Sequence, residues 1–268
     1  MSGDSFVTAD GVRLHVDAAG EGPVVVFQHG LCGDCGQTSE AFPADAGWRR
    51  VTVEARGHGR SEAGDVGRFS IATFAADVAA VIEERIGAPV VVGGISMGAA
   101  IALHLAVHRP DLVRGLVLAR PAWVTAAGPE NMAPNAEVGD LLKRLPPEEA
   151  SAAFLEGETG RRLADEAPDN LASLTGFFSR QPIAVTAALL TAISADGPGV
   201  SEADLARIVV PTLVIGHGRD VIHPLGHAGA LAALIPGARL VEITPKAASR
   251  AQYVSDFHSA LSAFLREF

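Results

Sequence analysis

Apolar residues occur along this chain in two kinds of run. Short continuous runs at 24–27, 90–92 and 116–118 are typical of strands in a parallel sheet that is buried on both faces. The stretch 71–82 instead repeats apolar residues at intervals of three or four, directly after Ser70. This spacing predicts a helix with one buried face, and Ser70 is suited to cap its first turn.

The same patterns extend over most of the chain. Further strands are predicted at 12–16, 50–54, 209–215 and 240–243, and further helices at 228–234 and 253–265. Between 122 and 202 the apolar residues show no strand alternation, and Gly and Pro pairs interrupt them. Strands and helices that alternate on both sides of such an insertion predict a doubly wound, mostly parallel sheet with an inserted helical cap. The expected division is a core of residues 1–121 and 203–268 and a cap of residues 122–202.

The stretch 88–107, APVVVGGISMGAAIALHLAV, organises this expectation. It contains no charged residue, so a membrane span has to be considered. Its three glycines and central serine favour a buried strand that turns sharply into a buried helix. Gly94-x-Ser96-x-Gly98 then has the form of a nucleophile elbow, in which glycines flank the serine because the turn leaves no room for a Cβ.

Composition narrows the range of partners and cofactors. The chain has 268 residues and a formal net charge of −10, which disfavours nucleic acid and anionic membranes. The first residues show no basic segment followed by an apolar one, so a cytoplasmic location is the expectation. No cofactor motif and no metal-binding pattern is evident. A small-molecule substrate is the expected partner, and homo-oligomer formation stays open.

Four motifs in order resemble the α/β-hydrolase fold superfamily. They are His29-Gly30, the loop 56–61 (RGHGRS), the elbow at Ser96 and the segment 216–220 (GHGRD). The resemblance implies that Ser96 is the nucleophile and that the backbone N–H groups of Leu31 and Met97 form an oxyanion hole. It also implies that Asp220 is the acid that orients a histidine.

The sequence departs from the family at the histidine itself. The family places it in the loop after the last strand, where this chain reads TPKAASR at 244–250. The missing residue falls near Ala247 or Ala248. Without a base, a serine hydroxyl is a poor nucleophile near neutral pH.

Four explanations are open. Another histidine serves, and His223 is the first candidate because it follows Asp220 by three residues; the others are His29, His58, His227 and His258. Alternatively, Lys246 activates the serine. An engineered histidine-to-alanine change would explain the sequence equally well. In the fourth case the protein no longer hydrolyses its ligand.

Three further residues are expected to contact a substrate. His29 and Arg120 lie at the carboxyl ends of predicted strands, where such folds bind ligands, and Lys246 lies in the loop after the last strand. Arg120 is suited to bind a substrate carboxylate, or to pair with an acid of the cap. Cys32 and Cys35 form a C-x-x-C that is interpreted as a tight turn, since no second pair is present to complete a metal site.

The sequence therefore predicts a serine hydrolase of a small ester, lactone or related acyl compound, with compounds that carry a carboxylate among the candidates. The alternatives are a ligand-binding protein without turnover, and a C–C hydrolase or lyase on the same fold.

Overall fold

The computed structural model describes residues 4–268, and within them one mixed sheet forms the centre of the molecule. Its strands are β1 (Asp4–Val7), β2 (Arg13–Ala19), β3 (Val24–Gln28), β4 (Arg49–Val53), β5 (Val90–Ile95), β6 (Val113–Ala119), β7 (Thr212–Gly216) and β8 (Arg239–Glu242). Their order is β1-β2-β4-β3-β5-β6-β7-β8. The pairs β1–β2 and β2–β4 are antiparallel and the remaining pairs are parallel, which confirms the predicted fold class.

Helices connect the strands. They are α1 (Cys35–Ala41), α2 (Ile71–Val81), α3 (Met97–His108), α4 (Ala133–Arg144), α5 (Pro147–Glu156), α6 (Glu158–Glu166), α7 (Pro168–Gly176), α8 (Ile183–Ala195), α9 (Glu202–Leu205), α10 (Leu225–Leu234) and α11 (Arg250–Leu265). The Ser70 side chain accepts a hydrogen bond from the Thr73 N–H and so caps α2 as predicted. Strand β7 begins at Thr212, later than expected, because Pro211 has no N–H to donate to a neighbouring strand.

Each central strand contributes side chains to both faces of the sheet. Along β3, Val25 and Phe27 pack with α1 and α11 on one face, whereas Val26 packs with α2 and α3 on the other. All three are fully buried. Continuous apolar runs are therefore required here, because alternation would place polar groups inside one of the two layers.

The uncharged stretch 88–107 divides into β5 and α3, with Ser96 between them. Within residues 4–268, no helix has the length and apolar character needed to cross a membrane. The strand-and-helix interpretation of this stretch is thus the one that the structure supports.

The chain between β6 and β7 is helical, from α4 to α9. Phe154 of α5 and Phe178 pack against each other with ring centroids 5.8 Å apart. The two ends of this helical segment are fastened together, because the Trp123 indole N–H donates to the carbonyl of Asp196 at 2.9 Å. The Asp196 carboxylate also accepts from the Ile71 N–H at the start of α2, at 2.7 Å, which anchors the segment to the sheet layers.

Candidate active site

Ser96 lies at the sharp turn between β5 and α3. Its backbone has φ 56° and ψ −111°, a conformation that costs free energy for any residue with a side chain. A Cβ on Gly94 would lie 2.6 Å from the carbonyl oxygen of Gln28, and one on Gly98 would lie 2.3 Å from the same atom. Both glycines are therefore required for β3, β5 and α3 to approach this closely, and the strained turn exposes the serine hydroxyl.

A hydrogen-bonded series runs from Ser96 through His223 to Asp220. The Oγ of Ser96 lies 2.9 Å from Nε2 of His223. Nδ1 of the same ring lies 2.9 Å and 3.0 Å from the two carboxylate oxygens of Asp220. With the proton on Nδ1, the ring donates to Asp220 and its Nε2 is free to accept the serine proton.

His223 and Asp220 both come from the loop that follows β7. Oδ1 of Asp220 accepts a hydrogen bond from the backbone N–H of His223 at 3.0 Å, which closes the loop into a tight turn. Asn170 of α7, in the helical segment, forms hydrogen bonds with the same loop. Its Nδ2 donates to Asp220 at 2.9 Å, and its Oδ1 accepts from the Val221 N–H at 2.7 Å.

Arg120 forms an ion pair with Asp220. Its Nε and Nη2 donate to Oδ2 of Asp220 at 3.0 Å and 2.6 Å, from the end of β6. Burial alone would raise the pKa of Asp220, whose side chain is 1% exposed, but the interactions with His223 and Arg120 outweigh burial and hold this pKa well below its usual range. Asp220 is thus a carboxylate at any working pH.

Arg120 also affects the histidine. Its Nη2 lies 3.2 Å from Nδ1 of His223. In the tautomer that bonds to Asp220 both nitrogens carry protons, so this contact is repulsive. Burial lowers the pKa of His223, Asp220 opposes this effect, and Arg120 adds to it, so the pKa of the ring lies below its ordinary value. The imidazole is therefore neutral, and able to accept a proton, near pH 7.

Two backbone N–H groups beside the serine are unengaged. Among the hydrogen bonds of residues 4–268, neither the N–H of Leu31 nor that of Met97 has an acceptor. The loop that carries Leu31 is fixed on both sides of it. Oε1 of Gln37 accepts from the Gly30 N–H at 2.7 Å, and Nε2 of His58 accepts from the Cys32 N–H at 3.0 Å.

Ser96 and His223 face a cavity of about 260 Å³. Its walls come from the loop after β3, from the ends of β5 and β6, and from the loops after β7 and β8. The helical segment closes it with Asn135, Asn170, Ser173, Leu174 and Phe177. This volume lies just under the ~300–1,000 Å³ that is usual for drug-sized ligands, so the cavity fits a small substrate.

The remaining candidate histidines lie elsewhere. The expectation that His29 contacts a substrate is wrong, because its ring is buried under the loop, with Nδ1 2.8 Å from the Gly30 carbonyl and Nε2 accepting from the Ala55 N–H at 3.0 Å. His58 is fully buried and bonds to backbone at both nitrogens. His227 approaches the carbonyl of Ala122, and His258 that of Glu40.

Arg120 and Lys246 have different outcomes. Arg120 lines the cavity, and its guanidinium is bound to Asp220. Its expected contact with a substrate carboxylate stays a prediction. Lys246 lines the cavity from the loop after β8. The neighbouring Ala247 and Ala248, where the family histidine was expected, are exposed.

The cysteines do not form a redox pair. Both are free thiols. Burial raises the pKa of Cys32 to about 12, and burial also raises that of Cys35, which is the opposite of what a reactive thiolate requires. His15, Asp17 and Cys35 place ligand atoms within 4.8 Å of one another, the geometry of a metal site. Two guanidinium groups, however, flank this cluster: Arg50 Nη2 bonds Asp17 at 2.6 Å, and Arg60 Nη2 lies 3.6 Å from Cys35 Sγ.

Sequence reasoning missed several residues that build the site. Asn170 holds the Asp220 loop, and Nε2 of His217 lies 3.6 Å from Oδ2 of Asp220. Arg180 donates to the carbonyls of Cys32 and Gly57, at 3.2 Å and 2.8 Å, and so ties the helical segment to the loops beneath it. The contacts of Asn170 and Arg180 join residues that are distant in sequence and belong to no local motif, whereas His217 lies in the same segment, 216–220, as Asp220.

Comparison with known proteins agrees with this geometry. The family model of the alpha/beta hydrolase fold matches residues 23–247. BpoC of Mycobacterium tuberculosis (strain H37Rv), provisionally named a non-heme bromoperoxidase, is 34% identical over 240 residues, which are 87% of this chain and 89% of that protein. The chain therefore belongs to the α/β-hydrolase family.

Solved structures extend the likeness to the whole fold. Est816, described as an N-acyl homoserine lactone degrading enzyme, superposes with a TM-score of 0.68 at 28% identity, over 98% of this chain and 99% of that one. The enol-lactonase from Burkholderia xenovorans LB400 gives a TM-score of 0.74 at 24% identity, over 98% of this chain and 100% of that one. The second likeness concerns the fold alone.

Proposed function

We propose that this protein is a serine hydrolase that cleaves small carboxylic esters or lactones through an acyl-enzyme on Ser96. The observation that carries the proposal is the 2.9 Å contact between Ser96 Oγ and His223 Nε2, with Asp220 on the other side of the ring. Among the relatives, Est816 is described as a lactone-degrading enzyme, which supports the same reaction class.

In the proposed reaction His223 takes the proton of Ser96 as Oγ attacks the substrate carbonyl. The N–H groups of Leu31 and Met97 stabilise the oxyanion of the tetrahedral intermediate. His223 then gives the proton to the leaving oxygen, and the alcohol departs. A water molecule, deprotonated by the same ring, attacks the acyl-enzyme, releases the carboxylic acid and returns the proton to Ser96.

Asp220 fixes the tautomer of His223 and stabilises the imidazolium that forms. Both residues belong to one tight turn, so the distance between acid and base is set locally. The helical segment from α4 to α9 acts as a cap in this proposal, because it closes the cavity over the serine and excludes bulk water.

The alternative of an impaired or non-hydrolytic protein was motivated by the missing histidine after β8. His223 supplies a base from the loop after β7 and removes that motive. No separate observation favours C–C bond cleavage. Analysis of the products formed in isotope-labelled water would distinguish C–C bond cleavage from ester hydrolysis.

A fluorophosphonate probe tests the proposal directly. The wild-type protein should be labelled at Ser96 and should hydrolyse p-nitrophenyl acetate. Ser96→Ala should abolish labelling, and His223→Gln should lower kcat/KM by about 10³-fold or more. His258→Gln, on the exposed face of α11, is the matched control and should retain the wild-type rate. A folded wild-type protein that is never labelled would refute the proposal.

A further inference from the structure

Lys246 has no acidic partner. It is half-buried in the wall of the cavity, in the loop after β8. Over residues 4–268, no carboxylate oxygen lies within 4.0 Å of its Nζ. The other lysine of the chain, Lys143, is exposed on α4 and has Asp140 at 3.9 Å. The ammonium of Lys246 is thus the available positive charge of the cavity.

The rest of the wall offers nothing to balance this charge. The residues that line the cavity include no aspartate or glutamate. Their other permanent cation, Arg120, is already neutralised by Asp220. A partly desolvated ammonium without a counterion is unfavourable, and an anionic ligand in the cavity would correct this.

Asn135 is a second unsatisfied group in the same wall. It lies in the first turn of α4, is 5% exposed and lines the cavity. Neither end of its amide has a hydrogen-bond partner among residues 4–268, since Oδ1 is buried without a donor and the Nδ2 group has no acceptor. The neighbouring asparagines of the site differ, since Asn131 donates to two backbone carbonyls and Asn170 is bonded at both ends. An amide N–H group without an acceptor costs free energy, so an oxygen atom of a ligand is the expected partner of the Asn135 Nδ2 group.

We propose that the substrate of this site carries a carboxylate apart from the bond that is cleaved, and that Lys246 and Asn135 bind it. Lys246 supplies the charge and the Asn135 amide donates an N–H to a carboxylate oxygen. This inference rests on the proposed hydrolase function for its chemistry. The cavity of about 260 Å³ limits the substrate to a short-chain dicarboxylic monoester or an equivalent lactone acid.

A matched pair of esters tests the proposal. The mono-p-nitrophenyl ester of glutaric acid carries the free carboxylate, and its methyl ester is the neutral counterpart. The wild-type protein should prefer the anionic ester in kcat/KM. Lys246→Met should lower the anionic-to-neutral ratio roughly 10- to 100-fold, the range expected for losing a charged hydrogen bond. Lys143→Met is the matched control and should keep the wild-type ratio.

Asn135→Asp places a like charge beside the carboxylate at nearly constant volume. It should lower the same ratio, whereas loss of packing alone would reduce both rates together. Equal kcat/KM values for the two esters in the wild-type protein, or an unchanged ratio in Lys246→Met, would overturn the inference and leave the hydrolase function standing.

A binding measurement separates the inference from the proposed function. Free glutarate should raise the Tm of wild-type protein and of Ser96→Ala, and dimethyl glutarate should not. Lys246→Met should lose this stabilisation. If no ester is hydrolysed but the glutarate shift depends on Lys246, the anion site stands and the hydrolase proposal fails. If glutarate produces no shift in the wild-type protein, the anion site fails.

Discussion

Replacing Arg120 by methionine should raise the pKa of His223 and move the acid limb of kcat/KM to higher pH. His223 must be neutral to accept the Ser96 proton, so activity is lost as pH falls through the pKa of its ring. In the wild-type protein burial lowers this pKa, and the Arg120 guanidinium lowers it further. Removing the guanidinium also leaves Asp220 free to favour the imidazolium.

The size of the shift follows from the distance. Nη2 of Arg120 lies 3.2 Å from Nδ1 of His223. Two unit charges 4 Å apart interact by about 1 kcal/mol in water and about 4 kcal/mol at an effective dielectric constant near 20. The Asp220 carboxylate bonds both groups and screens them from each other, which favours an interaction free energy at the lower end of this range.

The assay is kcat/KM for a neutral p-nitrophenyl ester between pH 4.5 and 8, with the acid limb fitted to one ionisation. Arg120→Lys keeps the positive charge but loses the two-pronged contact with Asp220, and it should leave the limb near the wild-type position while lowering the plateau. If Arg120→Met has the wild-type limb, or if Arg120→Lys shifts as far as Arg120→Met, the electrostatic reasoning is wrong.

Three further predictions concern the support of the site. Asn170→Ala removes a donor to Asp220 and the acceptor of the Val221 N–H. The kcat should therefore fall about tenfold, and the free energy of unfolding in urea should fall by about 1–3 kcal/mol. An unchanged kcat would show that α7 does not position the loop. Gly98→Ala should lower the free energy of unfolding by about 1–3 kcal/mol, because its Cβ would meet the Gln28 backbone. Gly229→Ala in α10, where nothing lies within 4 Å of the added Cβ, should raise the free energy of unfolding by about 0.5–1 kcal/mol. Equal changes in the two variants would contradict the geometry. The free energy of unfolding should decline as pH falls below about 6.5, by up to about 1.4 kcal/mol per pH unit for each buried histidine. Burial lowers the pKa values of His29 and His58, so the unfolded chain takes up protons that the folded chain excludes. His58→Asn should reduce this slope, and a flat profile from pH 7 to 5 would contradict the prediction.

The sheet could be predicted because its signals are local. A strand such as β5, buried on both faces, requires a continuous apolar run, and Gly94 and Gly98 record close backbone approaches that no Cβ could share. Strand ends were less predictable where hydrogen bonding decides them, as at Pro211 before β7. The antiparallel pairing of β2 with β4 depends on register between distant residues, such as Val16 and Val53, which no single run specifies.

The site was less predictable for the same reason. Ser96 and Asp220 belong to motifs with fixed neighbours, but the contact between His223 and Ser96 joins residues 127 positions apart. Its one local signal was the spacing Asp220-x-x-His223, which lets both side chains turn toward the same edge. Arg120 was assigned to a ligand because nothing in the sequence indicates that its partner would be Asp220.

The position of His223 in the loop after β7, rather than after β8, also affects the wall of the cavity. When acid and base occupy one turn after β7, the loop after β8 no longer has to carry a catalytic group. In this chain that loop contributes Lys246 to the cavity wall instead. The loop that would hold a neutral ring in the usual arrangement thus contributes an ammonium group to the cavity wall. The site that accepts the proton and the site that we propose for the carboxylate are then on separate loops, so Lys246→Met should change substrate preference while the pH dependence set by His223 and Arg120 stays in place.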